Sequence, residues 1–223
     1  CVSDTVKDDF ESIFDTKKSV EVLYNTNESE KIKKLSDEKV DDVNFSKDII
    51  NIISVAKIVP SKGYDRLIKI HKKLIEENIK NHIYILGIGE EKEKYEKYLA
   101  ENNLTDTFTF LGYRDNPYKY VKKADLYVCS SRREGFSTAV TEALIVGTPV
   151  VSTNCSGAYE LLGKNNEYGI VTENNEDALY EGIKKMLTTP DLLDAYAAKA
   201  KERGKAFSTE KTVKAVEEML SAL

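Results

Sequence analysis

The sequence predicts an α/β domain in which helices flank a parallel sheet. Over most of the chain, short apolar segments of strand length alternate with longer segments that have apolar residues at helical spacing. The first of these apolar segments, 49–56, is rich in isoleucine and has the length of a strand. The segment after it places Leu67, Ile70 and Leu74 on one helical face. A strand, a helix and a further strand in this order form a crossover, which makes neighbouring strands parallel.

The remaining elements follow the same alternation. The predicted strands lie at 49–56, 82–86, 107–111, 125–129, 149–152 and 168–171. The predicted helices lie at 64–78, 90–102, 116–123, 137–146, 158–162, 176–187, 190–206 and 209–222. Ligands of such sheets bind beyond the carboxyl ends of the strands, so the loops that follow the strands are the candidate site.

The N-terminal part of the chain is organised differently. Residues 5–14 are predicted to form a short amphipathic helix that Ser3 caps. A strand is predicted at 20–24. Residues 27–48 are polar and of mixed charge, which predicts a linker; a helix with a solvated face within it is the alternative.

The composition is that of an ordinary globular protein, with 41 % hydrophobic and 32 % charged residues. Lys and Arg total 33 and Asp and Glu total 38, so the formal net charge is −5. A phosphate backbone requires a basic surface, and the charge balance therefore argues against nucleic acid as a partner.

The sequence shows neither a membrane span nor a signal peptide, and it contains three cysteines. The longest apolar run, 143–151, has nine residues, which is too short for a membrane span. The start shows no signal peptide, and since the first residue is Cys1 and not Met, we expect the chain to be a piece of a longer protein. We expect Cys1, Cys129 and Cys155 to be reduced thiols of a cytoplasmic protein.

Two lysines and two glycines follow the first two predicted strands. Lys57 and Lys62 flank a turn where their ammonium groups can face an anion; the alternative is that both are solvated surface lysines. Gly87 and Gly89 let a ligand approach the backbone closely. Glu90 follows them, and the third glycine of the dinucleotide fingerprint is absent, so these residues do not predict a nicotinamide cofactor.

The segment after the strand at 125–129 carries the strongest signal. Gly135, Phe136 and Ser137 open a helix, so their unpaired N–H groups form an anion site. Glu142 lies in the second turn of this largely apolar helix, where a buried carboxylate requires hydrogen-bond donors. Sugar hydroxyls or one of the two lysines can supply them; a structural ion pair or an exposed position for Glu142 is the alternative.

The loops after the strands form one ordered set: Lys57 with Lys62-Gly63, Gly87-x-Gly89, Phe110-Leu111-Gly112, and Glu134-Gly135-Phe136-Ser137 followed by Glu142. This set resembles the retaining nucleotide-sugar glycosyltransferases of family 4. Their signature includes two glutamates separated by seven residues, which Glu134 and Glu142 match. The resemblance covers about residues 20–223.

The resemblance implies a two-domain protein whose two Rossmann-like domains enclose a cleft. Residues 49–206 would form the C-terminal, donor-binding domain, and residues 1–26 would be a remnant of a missing N-terminal domain. Residues 27–48 would link the two, and a C-terminal helix within 207–223 would cross back to the first domain. The missing domain is thus an expected partner, and peripheral contact with the inner face of the membrane would be made through it.

The resemblance also implies roles for individual residues around the diphosphate and the sugar. Lys57 and Lys62 would neutralise the donor diphosphate; the family more often has arginine at the first position, which would grip a phosphate with two hydrogen bonds. The N–H groups of Ser137 and Thr138 would hold a phosphate. Glu134 would bind and position the transferred sugar.

The remaining implied roles concern the nucleoside. Glu142 would accept hydrogen bonds from the ribose hydroxyls. Tyr113 and Arg114 would lie by the base, largely through backbone contacts, and Gly87 would keep the wall beside the sugar and phosphate open. Gly135 and Phe136 would complete the donor-binding loop.

The implied activity is sugar transfer, with retention, from a nucleoside diphosphate sugar to an acceptor hydroxyl. A UDP-linked donor and a role in cell-surface polysaccharide synthesis are expected, with no metal or other cofactor. Two alternatives remain open: a non-catalytic nucleotide-binding or partner-binding module of the same fold, and an epimerase with a related two-domain fold. A receiver domain is disfavoured because no acidic cluster follows the first strand of the sheet.

Overall fold

The computed structural model describes residues 1–15 and 20–221 of the chain. Its strands are β1 (Ile50–Val55), β2 (Asn81–Leu86), β3 (Phe108–Gly112), β4 (Leu126–Cys129), β5 (Val150–Thr153) and β6 (Ile170–Thr172). Its α-helices are α1 (Asp4–Ile13), α2 (Ser29–Ser36), α3 (Tyr64–Glu76), α4 (Lys92–Glu101), α5 (Tyr118–Lys123), α6 (Thr138–Val146), α7 (Ala158–Leu162), α8 (Glu176–Thr188), α9 (Leu192–Gly204) and α10 (Thr209–Ser221).

The elements from β1 onward agree with the prediction, and their ends fall within two residues of the predicted ends. The predicted last helix extends to residue 222, which lies outside the described residues. None of the helices in the described part of the chain is long and apolar enough to cross a lipid bilayer.

The six strands form one parallel sheet in the order β3-β2-β1-β4-β5-β6. The predicted fold class, a Rossmann-like parallel sheet flanked by helices, is therefore confirmed. The chain adds strands outward from β1 to β3, returns to place β4 beside β1, and then adds strands on the other side. The order reverses between β1 and β4, and in such sheets this switch point opens a crevice at the carboxyl ends of the strands.

The core has two layers because successive residues of each buried strand point to opposite faces of the sheet. Ile52 of β1 packs into the layer beneath α3, α4 and α8, and the next residue, Ile53, packs into the layer beneath α5, α6 and α9. Both isoleucines are fully buried. The two apolar layers pack against both faces of the sheet and fix the strands. The positions of the loops that follow the strands are therefore set by the sheet.

Helix α6 is apolar on most sides because it lies between the sheet and α9. Gly204 permits the close packing of these two helices, since a Cβ at this position would lie 2.4 Å from the carbonyl oxygen of Leu144. The helix ends at Gly147, whose φ of 85° suits glycine. Helix α6 is thereby fixed between the sheet and α9.

The N-terminal part departs from the prediction at one element. The predicted helix is present, and the Ser3 hydroxyl caps it by accepting from the N–H of Val6 at 3.1 Å. The prediction of a strand at 20–24 was wrong, because these residues pair with none of the described strands. The N–H of Leu23 donates instead to the carbonyl of Cys1 at 2.8 Å.

Residues 27–48 contain α2, so part of the predicted linker is helical, as the alternative reading of this segment allowed. The helix buries Ile32, which is 4 % exposed, against the domain. Its first turn is joined to the start of α10: the N–H of Ser29 donates to Thr209 Oγ1 at 2.9 Å, and the N–H of Thr209 donates to Ser29 Oγ at 3.1 Å. The N-termini of α2 and α10 therefore cap each other.

Candidate functional site

The loops after β1 and β4 lie side by side at the switch point. The N–H of Arg132 donates to the carbonyl of Ser61 at 2.7 Å, and the Ser130 hydroxyl donates to the carbonyl of Lys62 at 2.8 Å. The two predicted groups of site residues, which are far apart in the sequence, are brought together by this contact.

Lys62 and Glu134 form an ion pair across these loops, with 2.7 Å between Nζ and Oε1. The Ser131 hydroxyl donates to the same Oε1 at 2.6 Å. Within the described part of the chain, Oε2 of Glu134 has no hydrogen-bond partner. A ligand hydroxyl would therefore find its acceptor in Oε2.

A buried arginine supports this arrangement from below. Arg66 of α3 is 4 % exposed, and it donates to the carbonyls of Ser130 and Ser131 and, at 2.9 Å, to Asn174 Oδ1. Gly63 lets the two loops touch, because a Cβ at this position would lie 2.2 Å from the carbonyl oxygen of Ser130. The loop that carries Glu134 thus rests on α3.

A cavity of about 340 Å³, the lysine cavity, opens above the ion pair. It combines two cationic side chains with one carboxylate and the first turn of α6. Its lining residues are Ser54, Val55, Ala56, Lys57, Lys62, Tyr64, Tyr127, Cys129, Ser131, Glu134, Phe136, Ser137, Thr138 and Ala139.

A second cavity of about 450 Å³, the tyrosine cavity, adjoins the first. The two cavities share Val55, Ala56 and Lys57, so Lys57 stands at their junction. The lining residues of the tyrosine cavity are Val55, Ala56, Lys57, Leu86, Gly87, Ile88, Tyr113, Arg114, Asp115, Pro117 and Tyr118. The ends of β1, β2, β3 and β4 therefore converge on one cleft with two lobes.

The start of α6 faces the lysine cavity. The Ser137 hydroxyl accepts from the N–H of Val140 at 3.4 Å and so caps the helix. Among the described residues, the N–H groups of Ser137 and Thr138 have no acceptor. Unpaired amides at a helix start attract anions, so this end of the cavity suits a phosphate.

Phe136 is only 7 % exposed, although it contributes to the cavity wall. Its ring stacks on Tyr24 with 4.9 Å between the ring centroids, and Phe207 packs against it edge-on at 6.2 Å. The side chain thus ties the loop of Glu134 to segments from both ends of the chain.

Glu142 lies behind the cavity walls and lines neither lobe. It bonds to neither Lys57 nor Lys62; the Tyr118 hydroxyl donates to its Oε1 at 3.3 Å. Burial raises the pKa of the Glu142 carboxyl from 4.5 to about 7, and the hydrogen bond from Tyr118 lowers it only in part. Glu142 is therefore a largely buried carboxyl behind Tyr118, and Tyr118 itself lines the tyrosine cavity.

The other residues predicted to contact the nucleoside lie around the tyrosine cavity. Gly87 has a φ of 151°, and a Cβ at this position would lie 1.9 Å from the carbonyl oxygen of Ala56, so this wall requires glycine. Tyr113 is 68 % exposed. The Arg114 guanidinium pairs with Asp42 of the segment 27–48 at 3.1 Å, which partly neutralises its charge.

The structure thus brings nine of the eleven predicted site residues to one cleft, and leaves Gly135 and Glu142 off its walls. Sequence reasoning missed Arg66, Ser131 and Tyr118. The sequence did contain a signal for Arg66. It precedes Ile70 by four positions, so it lies on the apolar face of α3, where a charged side chain requires a buried partner. The spacing of residues gave no signal for the other two.

The rest of the described surface gives weaker evidence for a ligand site or a metal site. A groove of about 330 Å³ between α3 and α4 contains none of the predicted site residues. In residues 1–15 and 20–221, no group of three or more His, Cys, Asp or Glu side chains is placed to hold a metal ion.

The sequence is similar to known glycosyltransferases. The family model described as "Glycosyl transferases group 1" matches residues 36–203. A Campylobacter jejuni enzyme, N-acetylgalactosamine-N,N'-diacetylbacillosaminyl-diphospho-undecaprenol 4-alpha-N-acetylgalactosaminyltransferase, is 35 % identical over 192 residues, which cover 85 % of this chain and 50 % of the relative. The poly(ribitol-phosphate) alpha-N-acetylglucosaminyltransferase of Staphylococcus aureus is 28 % identical over 66 % of this chain and 30 % of its own length.

The fold is shared with solved structures. Anabaena HepE in complex with UDP aligns with a TM-score of 0.84 at 18 % identity, over 100 % of this chain and 63 % of that one. A complex of S. aureus TarM that includes UDP aligns with a TM-score of 0.77 at 22 % identity, over 96 % of this chain and 41 % of that one. The chain spans about half the length of the first relatives it matches.

Proposed function

The chain belongs to the group 1 glycosyl transferases, and we propose that it is the donor-binding half of a retaining enzyme of family 4. In this proposal it binds a nucleoside diphosphate sugar, with UDP as the nucleotide. The sugar is then transferred to an acceptor hydroxyl held by a second domain. The similarity over half the length of the relatives supports the requirement for a second domain.

The observation that carries the proposal is the composition of the lysine cavity. Lys57, Lys62 and the free amides of Ser137 and Thr138 supply cationic and N–H groups in one place. A diphosphate presents anionic oxygens that these groups can bind, and stabilising the departing diphosphate is the main electrostatic requirement of the reaction. The amides are fixed by α6, so they require no reorganisation when charge develops.

Glu134 would then bind the transferred sugar. Its Oε1 is already engaged by Lys62 and Ser131, so Oε2 would accept from a hydroxyl of the transferred sugar. Binding of the diphosphate draws Lys62 toward the phosphates and frees more of the carboxylate. A carboxylate near the anomeric centre also favours the positive charge of an oxocarbenium-like transition state. Retention of configuration at this centre is part of the proposal.

The tyrosine cavity would take the nucleoside. It adjoins the lysine cavity at Lys57, as a nucleoside adjoins its diphosphate. Gly87, Tyr113 and Arg114 form part of its wall. The presence of UDP in the HepE and TarM complexes supports UDP as the nucleotide.

We further propose that the complete enzyme acts in cell-surface glycan synthesis on the cytoplasmic side of the membrane. The names of two relatives support this, since one acts on a diphospho-undecaprenol acceptor and the other on poly(ribitol-phosphate). Contact with the membrane would be made by the second domain.

Calorimetric titration of the 223-residue chain with UDP, GDP and ADP tests the proposal. We expect UDP to bind best and Lys62→Ala to weaken UDP about tenfold, as the loss of a charge-assisted contact predicts. Lys199→Ala is the matched control, because Lys199 of α9 forms an exposed ion pair with Glu202 and lines neither cavity.

Two results would separate the proposal from its alternative. If none of the three nucleotides bound, the donor-binding function would be wrong. A second domain joined to this chain should give sugar transfer, and Glu134→Gln should abolish that transfer. If UDP bound but no such transfer was observed, the chain would be a nucleotide-binding module without catalysis.

A further inference from the structure

Phe136 immediately precedes Ser137 and Thr138, whose N–H groups we assign to the diphosphate. The N–H of Ser137 belongs to the same planar peptide group as the carbonyl of Phe136. A rotation of the Phe136 backbone therefore turns this N–H away from its direction toward the lysine cavity. The contacts that hold the side chain of Phe136 thus also decide how well the start of α6 is oriented.

Tyr24, Phe207 and Gly157 lie against the ring of Phe136. Tyr24 stacks on the ring with an interplanar angle of 17°, and Phe207 meets it edge-on. Gly157, which precedes α7, permits a close approach, because a Cβ at this position would lie 2.8 Å from Cδ2 of Phe136. Tyr24 and Phe207 also meet each other edge-on, with 5.8 Å between their ring centroids. Stacked and edge-on pairs are favourable arrangements of aromatic rings, so the cluster fixes the ring of Phe136.

The members of this cluster differ in how firmly they belong to the core. Phe207 is fully buried, and the Arg203 guanidinium lies 5.0 Å from the centroid of its ring. Tyr24 is half-buried and belongs to the N-terminal segment, which the structure describes over residues 1–15 and 20–24. Removal of the Tyr24 ring therefore uncovers Phe136 and leaves the core of the sheet intact.

The N-terminal segment is attached to α7 close to Tyr24. The N–H of Asp4 donates to both carboxylate oxygens of Glu160, at 3.0 Å and 3.1 Å. Burial and the charge of Glu160 raise the pKa of Tyr24 to about 12, so its phenol is neutral at neutral pH. The stacking on Phe136 is thus a contact between uncharged rings, and phenylalanine in place of Tyr24 retains it.

We propose that Tyr24 is a positioning residue of the donor site, which holds the N–H groups of Ser137 and Thr138 in place by stacking on Phe136. This inference rests on the proposed function, in which those groups bind the diphosphate. Groups that are already oriented bind an anion without further loss of backbone freedom. The nucleoside is assigned to the tyrosine cavity, which Phe136 does not line. Tyr24 should therefore affect the binding of the phosphates and not that of the nucleoside.

Titration of the full 223-residue chain with UDP and with uridine, followed by NMR, tests the inference. Tyr24→Ala removes the ring, and we expect it to bind UDP about threefold to tenfold more weakly, while its affinity for uridine changes less than about twofold. Tyr24→Phe keeps the stacking and should bind UDP as the unaltered chain does. In the ligand-free chain, the backbone order parameters of Ser137 and Thr138 should fall in Tyr24→Ala and be retained in Tyr24→Phe.

Phe14→Ala is the matched control. Phe14 is an exposed aromatic residue of the same N-terminal segment and lines neither cavity, so its removal should leave the affinity for UDP unchanged. Tyr24→Leu provides a second test in case Tyr24→Ala does not fold. Leucine keeps apolar surface against Phe136 but lacks a flat ring, and its loss of affinity for UDP should lie between those of Tyr24→Phe and Tyr24→Ala.

Three outcomes would overturn the inference. Equal affinity of Tyr24→Ala and the unaltered chain for UDP would do so while leaving the proposed function standing. Equal losses for UDP and uridine would show that Tyr24 supports the domain as a whole and not the N–H groups at the start of α6. If the unaltered chain bound no UDP, the proposed function would fail, and the role of Tyr24 in it would fail as well.

Discussion

Lys62 and Glu134 neutralise each other in the free protein, with 2.7 Å between Nζ and Oε1. The ammonium that we assign to the donor diphosphate is thus already paired, and the phosphates have to compete with the carboxylate for it. The side chains keep 24 % and 15 % exposure, so the pair is partly screened by solvent. Binding of the donor would exchange one ionic partner of Lys62 for another.

This competition predicts that Glu134→Gln does not weaken the binding of UDP. Removal of the carboxylate charge frees Lys62, and we expect an affinity for UDP that is unchanged or up to about fivefold higher. Glu142→Gln should weaken the binding of UDP, since the family resemblance assigns Glu142 to the ribose hydroxyls. Calorimetry on both variants checks the contrast, and equal losses would contradict the assigned roles.

Gly87 and Gly135 provide a second prediction, because the structure places them in different surroundings. A Cβ at Gly87 would lie 1.9 Å from the carbonyl oxygen of Ala56, whereas a Cβ at Gly135 would meet nothing within 4 Å. Gly87→Ala should therefore lower the free energy of unfolding by about 2 kcal/mol or more, and Gly135→Ala by less than about 1 kcal/mol. Urea unfolding measures both, and similar losses would show that the wall at Gly87 is not tightly packed.

The sheet could be predicted from the sequence because each strand and helix carries its own local pattern. The apolar run that became β1 and the helical spacing that became α3 are visible without any tertiary information. The segment 20–24 carried a strand-like pattern as well, but a strand also requires a neighbour to pair with, and Leu23 bonds to Cys1 instead. Local pattern alone does not supply that neighbour.

The candidate site could be predicted only in part, for a similar reason. The position of Lys62 and Glu134 at strand ends followed from the rule for parallel sheets, and the structure joins them. The contact of Glu142 with Tyr118 depends on how α5 packs beside α6, which the spacing of residues does not give. The partner of Glu142 was expected to be a lysine or a ligand, and no reasoning from sequence pointed to the phenol.

Arg66 yields a third prediction, on the support of the site. It donates to the carbonyls of Ser130 and Ser131, and its planar group contacts both at once. Arg66→Lys keeps the charge but loses this geometry, so we expect a loss of about 2–4 kcal/mol in the free energy of unfolding.

Arg133→Lys is the matched control for Arg66→Lys. Arg133 is exposed on the same loop, and its replacement should change the stability by less than about 0.5 kcal/mol. Thermal and urea unfolding of both variants provide the measurement. A stable Arg66→Lys protein would mean that the loop of Glu134 does not depend on α3.

Glu142 makes the stability of the fold depend on pH. Its pKa in the folded protein is about 7, above the ordinary 4.5, because burial disfavours the charged form. The folded state therefore holds the proton more tightly than the unfolded state, and the resulting stability is present below pH 4.5 and is lost as the pH rises through 7. Glu142→Gln cannot lose a proton and should lack this dependence. Relative to that variant, the unaltered chain should lose about 2 kcal/mol between about pH 4.5 and 7.5, after allowance for partial exposure.

Urea unfolding of both proteins at several pH values across this interval measures that difference. The comparison removes the contributions of other titrating groups, such as His71, whose pKa is lowered to about 4 by burial and which would raise stability as the pH rises. Tyr118→Phe should steepen the dependence, because the phenol donates to the charged form of Glu142 and so lowers its pKa. A difference between the unaltered chain and Glu142→Gln that stays constant with pH would show that the carboxylate is solvated, and that no buried acid stands behind the tyrosine cavity.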